Sequence, residues 1–504
     1  MEVSCIMSYD PQIILELSKE AHAQHNLASL GECITKLELI REKLLNIDRN
    51  KMDSKVIWNL CGIINSEISK WTEECLPSSN NLEVPTQALF CLRNAFVNCS
   101  SIQLMVAETE ELRNVVLASI KWVFLSKHGR LKEVGDLEER QQSGDCSGLS
   151  RLAKASITCL GNLVAANTST RRIMWPYLLP LLRSLLQYHE ETVSYLACMV
   201  IFNCLLEEDL KKQLCSCSDV DSIICDLLSL YMGGECSSEQ TSCFVLYNLE
   251  LMLCCDSRVN GVWNLLSVNQ QMLLLEILSN IVEGKSGSKC GSLPALSVNF
   301  LTTMFKNRAD KILRTNTNDA EDDSAMVVTK LLSFICLVAA SEDWGPTLKE
   351  DKSLLITTVS LLQCMNEIGN VEGNEFSRMS LDDLADEQRA KAKSHPAYGF
   401  KRDLIRLIAS LVYRHKANQD QVRDMGGITL ILESSQFDAR NPAIKEVSIY
   451  AIRNLLENNL ENQEVVKNLE YKGDAESQGM QLTRANGMVV VHKANSSGDD
   501  ESNQ

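Results

Sequence analysis

Apolar residues recur at i, i+3, i+4 and i+7 along almost the whole chain, as in Ile13 and Leu17, in Leu27, Ile34 and Leu37, or in Ile223, Leu227 and Leu230, whereas strand-like alternation is nearly absent. That spacing lays one apolar stripe along a helix of 3.6 residues per turn. Short amphipathic helices do not hold alone in water, where anything below about 12–15 residues is marginal, so each must bury its stripe on its neighbours. The expectation is an elongated array, and a repeat supports it. Aligning on an Asn inside an apolar helix superimposes Cys91-Leu92-Arg93-Asn94-Ala95, Cys159-Leu160-Gly161-Asn162-Leu163, Val200-Ile201-Phe202-Asn203-Cys204, Val245-Leu246-Tyr247-Asn248-Leu249 and Ala451-Ile452-Arg453-Asn454-Leu455, with weaker copies about Asn299 and Ser410. The intervals from Asn162 to Asn203, Asn203 to Asn248 and Ser410 to Asn454 are 41, 45 and 44 residues. Armadillo and HEAT units run about 40–47. The longer gap between Asn94 and Asn162 contains a polar insert.

The pattern therefore predicts an all-α, armadillo/HEAT-like helical-repeat solenoid. Its parts are N-terminal helical repeats (1–125), a polar insert (126–150), central repeats (151–368), a polar loop (369–397), a C-terminal armadillo unit (398–470) and a disordered tail (471–504). Within one period, Asn167-Thr168-Ser169 reads as loop and cap, Trp175-Pro176 opens a helix running to Gln187, and Glu190 to Leu206 forms the long helix. Gly/Ser/Asn/Asp-rich loops are expected from Glu283 to Leu293 and from Thr315 to Ser324. The loop 369–397 has no apolar stripe and is expected to be peripheral. In the last strong helix Asn441 can cap and Pro442 can take the first position, with the run ending at Asn458. Ile444, Val447, Ser448, Ala451, Ile452 and Leu455 then face the core, leaving Glu446, Tyr450, Arg453 and Glu457 as a candidate association surface.

Composition narrows the reading. Gly (23) and Pro (9) are scarce and aromatics make only 5%, which starves turns and sheets. The net charge of −17 opposes nucleic acid and anionic membranes, both of which need excess Lys/Arg. An apolar content of 45% is too high for wholesale disorder. Met1-Glu2-Val3-Ser4-Cys5 has no basic leader, and the most apolar stretch, Leu331 to Ala340, is too short to cross a bilayer. A cytoplasmic setting is expected, with the 20 cysteines reduced and acting mainly as small buried hydrophobes.

Candidate chemistry adds little. Gly284-Lys285-Ser286 mimics the end of a phosphate loop, but Ser279 stands where the first Gly is required and no strand precedes it. Nine cysteines between Cys198 and Cys255 form no C-x-x-C, and no His lies between His189 and His395, so no metal or cofactor is expected. His22 and His25 share a helix face without a third ligand and are expected to be solvated. Asp382-Asp383 reads as a solvated acidic pair. No nucleophile elbow or metal-binding helix motif appears, so no catalytic residue is assigned and an enzyme is not expected. The Asn series, Asn94, Asn162, Asn203, Asn248 and Asn454, has two readings: amides that bond backbone carbonyls of adjacent repeats, or direct partner contacts. A nuclear-import-type cargo adaptor is the alternative on the same scaffold. It would need Trp four residues before each Asn, where this chain has Phe90, Thr158, Met199, Phe244 and Tyr450.

Gly399-Phe400-Lys401, Leu404-Ile405-Arg406-Leu407-Ile408, Asn418-Gln419-Asp420, Gly427-Ile428, Asn441-Pro442, Ala451-Ile452-Arg453-Asn454-Leu455 and Asn462-Gln463, in this order and spacing, closely resemble the C-terminal domain of the ataxin-10 family. Cys91-Leu92-Arg93-Asn94-Ala95 with Cys99-Ser100, and Leu160-Gly161-Asn162 with Trp175, look like that family's N-terminal half. Ser410 stands where the family pattern has Asn, so no ladder amide is expected there. The resemblance implies a non-enzymatic, self-associating scaffold active in neuritogenesis through Ras–MAP kinase signalling, in neuronal survival, in cytokinesis and in centriole or ciliary-base organisation. It further implies a G-protein β subunit and O-linked N-acetylglucosamine transferase as partners, and cytoplasmic, perinuclear, midbody and basal-body locations.

Overall fold

The computed structural model describes residues 11–26, 30–46, 52–71, 79–125, 145–188, 190–233, 239–255, 258–287, 291–314, 322–371, 374–379, 393–469, 480–485 and 488–493. Long helices at Leu30–Lys43, Ser79–Phe96, Asp145–Val164, Glu191–Leu205, Glu239–Cys255, Val268–Val282, Asp322–Ala340, Phe400–Val412 and Ile444–Leu456 pack one beside the next in chain order. A second layer backs them, including Ser54–Ile68, Glu110–Leu125, Val220–Gly233, Ala295–Arg308, Lys352–Gly369 and Gly427–Ser434. The interval between the layers forms one continuous apolar core from Ile14 to Leu455. The described chain is an all-α armadillo-type solenoid apart from one hairpin near its end. The segment expected to open as a helix at Trp175-Pro176 is instead the interior of Thr168–Leu178, followed by a 3-10 turn, Leu179–Leu181, and the helix Leu182–Leu186. Asn167 does cap, accepting from Thr170 N at 3.1 Å.

Four corners share one construction. Asn98, Ala166, Arg414 and Asn458 adopt φ of 54, 53, 54 and 56°, each four residues after an aligned Asn or Ser. A left-handed residue there ends the long helix. The following residue starts the next helix, and Asn167, His415 and Asn459 supply side-chain caps at that point. The corner after Asn203 lacks this turn, since Glu207 has φ −88°.

Three local expectations need correction. Asn441 does not cap its own helix, which begins at Ile444 after Ala443 at φ 61° and ends at Leu456. The Asn441 side chain is buried, accepting from Arg402 N at 3.2 Å and donating to Asp438 Oδ2 at 2.7 Å, so it serves the first turn of the preceding long helix. His25 is not solvated: it is buried, with Nε2 2.7 Å from Glu67 Oε1, because Pro11–Asn26 packs on Ser54–Ile68 and meets a carboxylate at that helix's end. The loop 369–397 is not peripheral over its described residues. Phe376 is 3% exposed, Arg440 Nη1 donates to Asn374 O at 2.7 Å and Ser377 O at 3.2 Å, Arg440 pairs with Glu375 at 3.0 Å, and Ala439 N donates to Met379 O at 3.0 Å. The loop is held through its backbone carbonyls and Glu375, chiefly by Arg440. Asp382-Asp383 falls outside the described residues.

The tail expected to lack structure contains an antiparallel pair, β1 (Met480–Ala485) and β2 (Met488–Lys493), with Ala485 opposite Met488. Asn486-Gly487, the dipeptide between the strands, is the favoured filling of a two-residue hairpin connection, and Val489-Val490-Val491 suits a strand.

Because Phe376 anchors the loop, Phe376→Ala should cost about 3 kcal/mol, the usual loss for a large core truncation. Thermal unfolding and limited proteolysis should show a lower midpoint and faster cleavage within 369–397. An unchanged cleavage rate would mean that the loop is held by its polar clamp alone.

Candidate interaction surface

An armadillo-type array places its surface chemistry along the face shared by the long helices, where the aligned Asn residues sit. Asn94 Nδ2 donates to Arg41 O at 3.0 Å, Asn162 Nδ2 to Arg93 O at 2.9 Å and Asn454 Nδ2 to Ala409 O at 3.0 Å. In the last two the acceptor is the residue just before the aligned position of the previous repeat. Asn248 Nδ2 donates to Cys198 O at 2.9 Å, one helical turn further back. Asn203 is half-buried and its amide makes no hydrogen bond among the described residues. At that junction Phe202, Phe244 and Tyr247 cluster with ring centroids 5.4, 5.5 and 6.1 Å apart, and the regular offset is lost. Ser410 bonds only within its own helix, to Arg406 O.

A second set of amides does comparable work nine residues after the aligned position. Gln103 Nε2 donates to Phe96 O at 2.9 Å and to Asn162 O at 2.7 Å, tying the end of one long helix to the next. Gln419 Nε2 repeats this with Val412 O at 3.4 Å and Asn454 O at 2.9 Å. Arg171 takes the same place, with Nε on Val164 O at 3.0 Å and Nη1 on Glu207 Oε1 at 2.8 Å. The signal in sequence is a polar donor seven residues past these three helix ends, under two different residue types.

On the last long helix Glu446, Tyr450 and Arg453 are exposed and Glu457 is half-buried. Ile444, Ser448, Ala451 and Leu455 are buried, while Val447 and Ile452 are only partly covered. The exposed surface is more apolar than the four predicted residues suggest: Ile449 is 61% exposed, Tyr450 47%, Phe437 57% and Leu460 77%. No further repeat stacks on these positions in the described chain.

The other candidate chemistry is occupied by packing. Lys285 pairs with Glu283 at 2.6 Å, and Ser286 Oγ donates to Glu250 at 2.8 Å. Burial pushes the Cys61 and Cys204 thiols up to about 12, away from the thiolate that nucleophilic or metal chemistry requires. Among the described residues no group of His, Cys, Asp and Glu is arranged to hold a metal ion, and no helix is long and apolar enough to cross a membrane. A cavity of about 950 Å³ between Pro11–Asn26 and Leu30–Lys43 is lined by Leu17, Leu39 and Leu45 with Glu32, Glu38, Glu42, Lys36 and Arg41, a mixed-charge groove.

The difference between two members of the Asn series can be measured. Asn454→Ala deletes a buried amide bond and should destabilise by about 1–2 kcal/mol, whereas Asn203→Ala should stay within about 0.5 kcal/mol. Chemical denaturation of both variants checks the contrast, and equal losses would contradict the ladder geometry.

Residues 400–497 match the spinocerebellar ataxia type 10 protein domain. Ataxin-10 of Xenopus tropicalis is 28% identical over 429 residues, covering 82% of this chain and 81% of that protein. The ataxin-10 homolog of Dictyostelium discoideum is 51% identical over 77 residues, covering 15% of this chain and 13% of that protein. Among solved structures, a SYS-1/POP-1 complex is similar with a TM-score of 0.39 at 12% identity, covering 88% of this chain and 75% of that one. The domain match, which begins at the first long helix of the C-terminal unit, and a relative aligned over about four fifths of both sequences make this chain similar to the ataxin-10 proteins.

Proposed function

We propose that the chain is a non-catalytic scaffold for protein partners, and that it self-associates through the face formed by Ile444–Leu456 and Leu460–Lys467. The observation that carries this reading is the exposure of Ile449, Tyr450 and Leu460 on the last repeat. A solenoid covers such positions with the next repeat, or with a polar cap where the array stops. Here large apolar and aromatic groups remain, beside Arg453, and Tyr and Arg are residue types that dominate interface energetics. The C-terminal location falls within the matched family domain. On the family resemblance the proposal extends to neuritogenesis through Ras–MAP kinase signalling, neuronal survival, cytokinesis and centriole or ciliary-base organisation. The proposed partners are a G-protein β subunit and O-linked N-acetylglucosamine transferase, and the proposed locations are cytoplasm, perinuclear region, midbody and basal body.

Sedimentation velocity across a concentration series, with circular dichroism on the same samples, tests the self-association. Tyr450→Ala with Arg453→Glu should leave helicity intact and weaken association, because both side chains are exposed. Leu455→Asp should instead unfold the last repeat, since it buries an unpaired carboxylate. Association unchanged in the double variant would remove this face from the proposal.

A further inference from the structure

Two guanidinium groups meet on one aromatic ring at the N-terminal end of the ladder face. Arg41 Cζ lies 5.8 Å and Arg93 Cζ 4.9 Å from the centre of the Phe90 ring. Both are held by neutral amide oxygens: Arg41 Nη1 donates to Gln87 Oε1 at 2.8 Å, and Arg93 Nε and Nη2 donate to Asn94 Oδ1 at 3.1 and 3.0 Å. Neither forms an ion pair among the described residues. Arg41 Nε and Nη2 and Arg93 Nη1 have no protein acceptor there.

The local charge is unusual for a chain of net charge −17. Glu83, on the same helix as Phe90 and Arg93, is committed elsewhere, to Arg151 at 3.0 Å. Glu38 and Glu42, exposed on the same helix as Arg41, form no ion pair with it. Burial, and then the charge of Arg41, hold the Arg93 guanidinium below its ordinary range. Bringing two like charges to one ring costs free energy that the ring face offsets only in part. Stacking and the amide acceptors fix the forks in place and leave free donors that suit carboxylate or phosphate oxygens.

We propose that Arg41, Phe90 and Arg93 form a binding site for an oxyanion carried on an extended partner peptide, an acidic side chain or a phosphorylated one. This deepens the scaffold reading and rests on it, while concerning the opposite end of the array from the self-association face. It also sets the partner's sign: the site takes acidic segments, where the alternative import-type adaptor would take basic ones. Phe90 adds an apolar floor between the two forks. The ladder bonds from Asn94 to Arg41 O and from Asn162 to Arg93 O anchor the backbone of both arginines, so the site is assembled by the stacking of three repeats.

The test uses the full chain and three fluorescein-labelled decapeptides of otherwise identical Gly/Ser composition, carrying four Glu, two phosphoserines or four Lys. Binding is followed by fluorescence anisotropy at two salt concentrations. The Glu peptide, the phosphoserine peptide or both should bind, more weakly at the higher salt, and the Lys peptide should not. Arg41→Gln with Arg93→Gln, which retains side-chain amides, should reduce that binding about tenfold or more. Whichever anionic peptide shows this Arg dependence identifies the oxyanion. Preference for the Lys peptide, no binding of either anionic peptide, or binding indifferent to the double substitution would overturn the site. Sedimentation of the same variant separates the two proposals: intact self-association with lost peptide binding is expected, and lost self-association with unchanged circular dichroism would count against the division of the array into two working ends.

Discussion

Each long helix of this array ends inside the stack, and that constraint organises the rest. The last carbonyls of a helix have no intrahelical donor, and next to another helix they are shielded from water, so a donor must be delivered to them. The chain does this with a repeated device. A left-handed residue four positions after the aligned Asn turns the backbone, a cap follows, and an amide or guanidinium nine positions after the Asn reaches back to the helix just ended and across to the next. Gln103, Arg171 and Gln419 occupy that place with two kinds of side chain and one shared property, an N–H fork. The aligned Asn adds a bond to the preceding helix. Apolar burial supplies most of the driving force for stacking, but it does not fix register, and these directional bonds do.

Much of this was legible in the sequence where residue identity and role coincide. Asn94, Asn162 and Asn454 combine the same residue type, the same apolar setting and a backbone carbonyl of the preceding long helix as acceptor, so a periodic search finds them. Asn203 and Asn248 keep the type while the packing slides by one turn around Phe202, Phe244 and Tyr247, and nothing in a local pattern reports such a slide. Gln103 and Arg171 escape for the opposite reason, because the role persists while the residue changes. Asn441 misleads since a cap motif is read locally, whereas its oxygen serves Arg402 N on the helix before. His25 and Glu67 are 42 residues apart in sequence, so burial of the pair is a product of helix packing that periodicity alone does not show. The hairpin was written in plain signals, Asn-Gly and a run of Val, inside a segment whose overall polarity pointed the other way.

The loop between Gly369 and Ala397 illustrates why composition is a poor guide to what a segment contributes. Its polarity and lack of stripe suggest a peripheral connection, yet its backbone groups are satisfied by polar side chains of the neighbouring repeat. Asp438 accepts from Met379 N at 3.2 Å, and Arg440 binds two loop carbonyls. One buried aromatic, Phe376, converts that polar clamp into packing. The C-terminal unit is thus stabilised partly from outside the repeat that the family match covers, since residues 374–379 precede position 400 where it begins.

Periodicity also explains why the two ends of the array offer different chemistry. An interior repeat spends its stripe and its amides on two neighbours and has little left to present. Among the described residues no further repeat covers the last one, so apolar positions such as Ile449 and Leu460 stay exposed and nonspecific attraction becomes available for association. Near the N-terminus the neighbours are present, and what remains is the hydrogen-bonding capacity of groups whose oxygens are already paired: the amides of Gln87 and Asn94 satisfy Arg41 and Arg93 without neutralising them. An amide acceptor fixes a guanidinium's direction at no cost in charge, whereas a carboxylate would fix it and cancel it. Orientation without neutralisation is what a recognition site for anions requires, and on this chain it arises from the same side-chain amides that hold the helices in register.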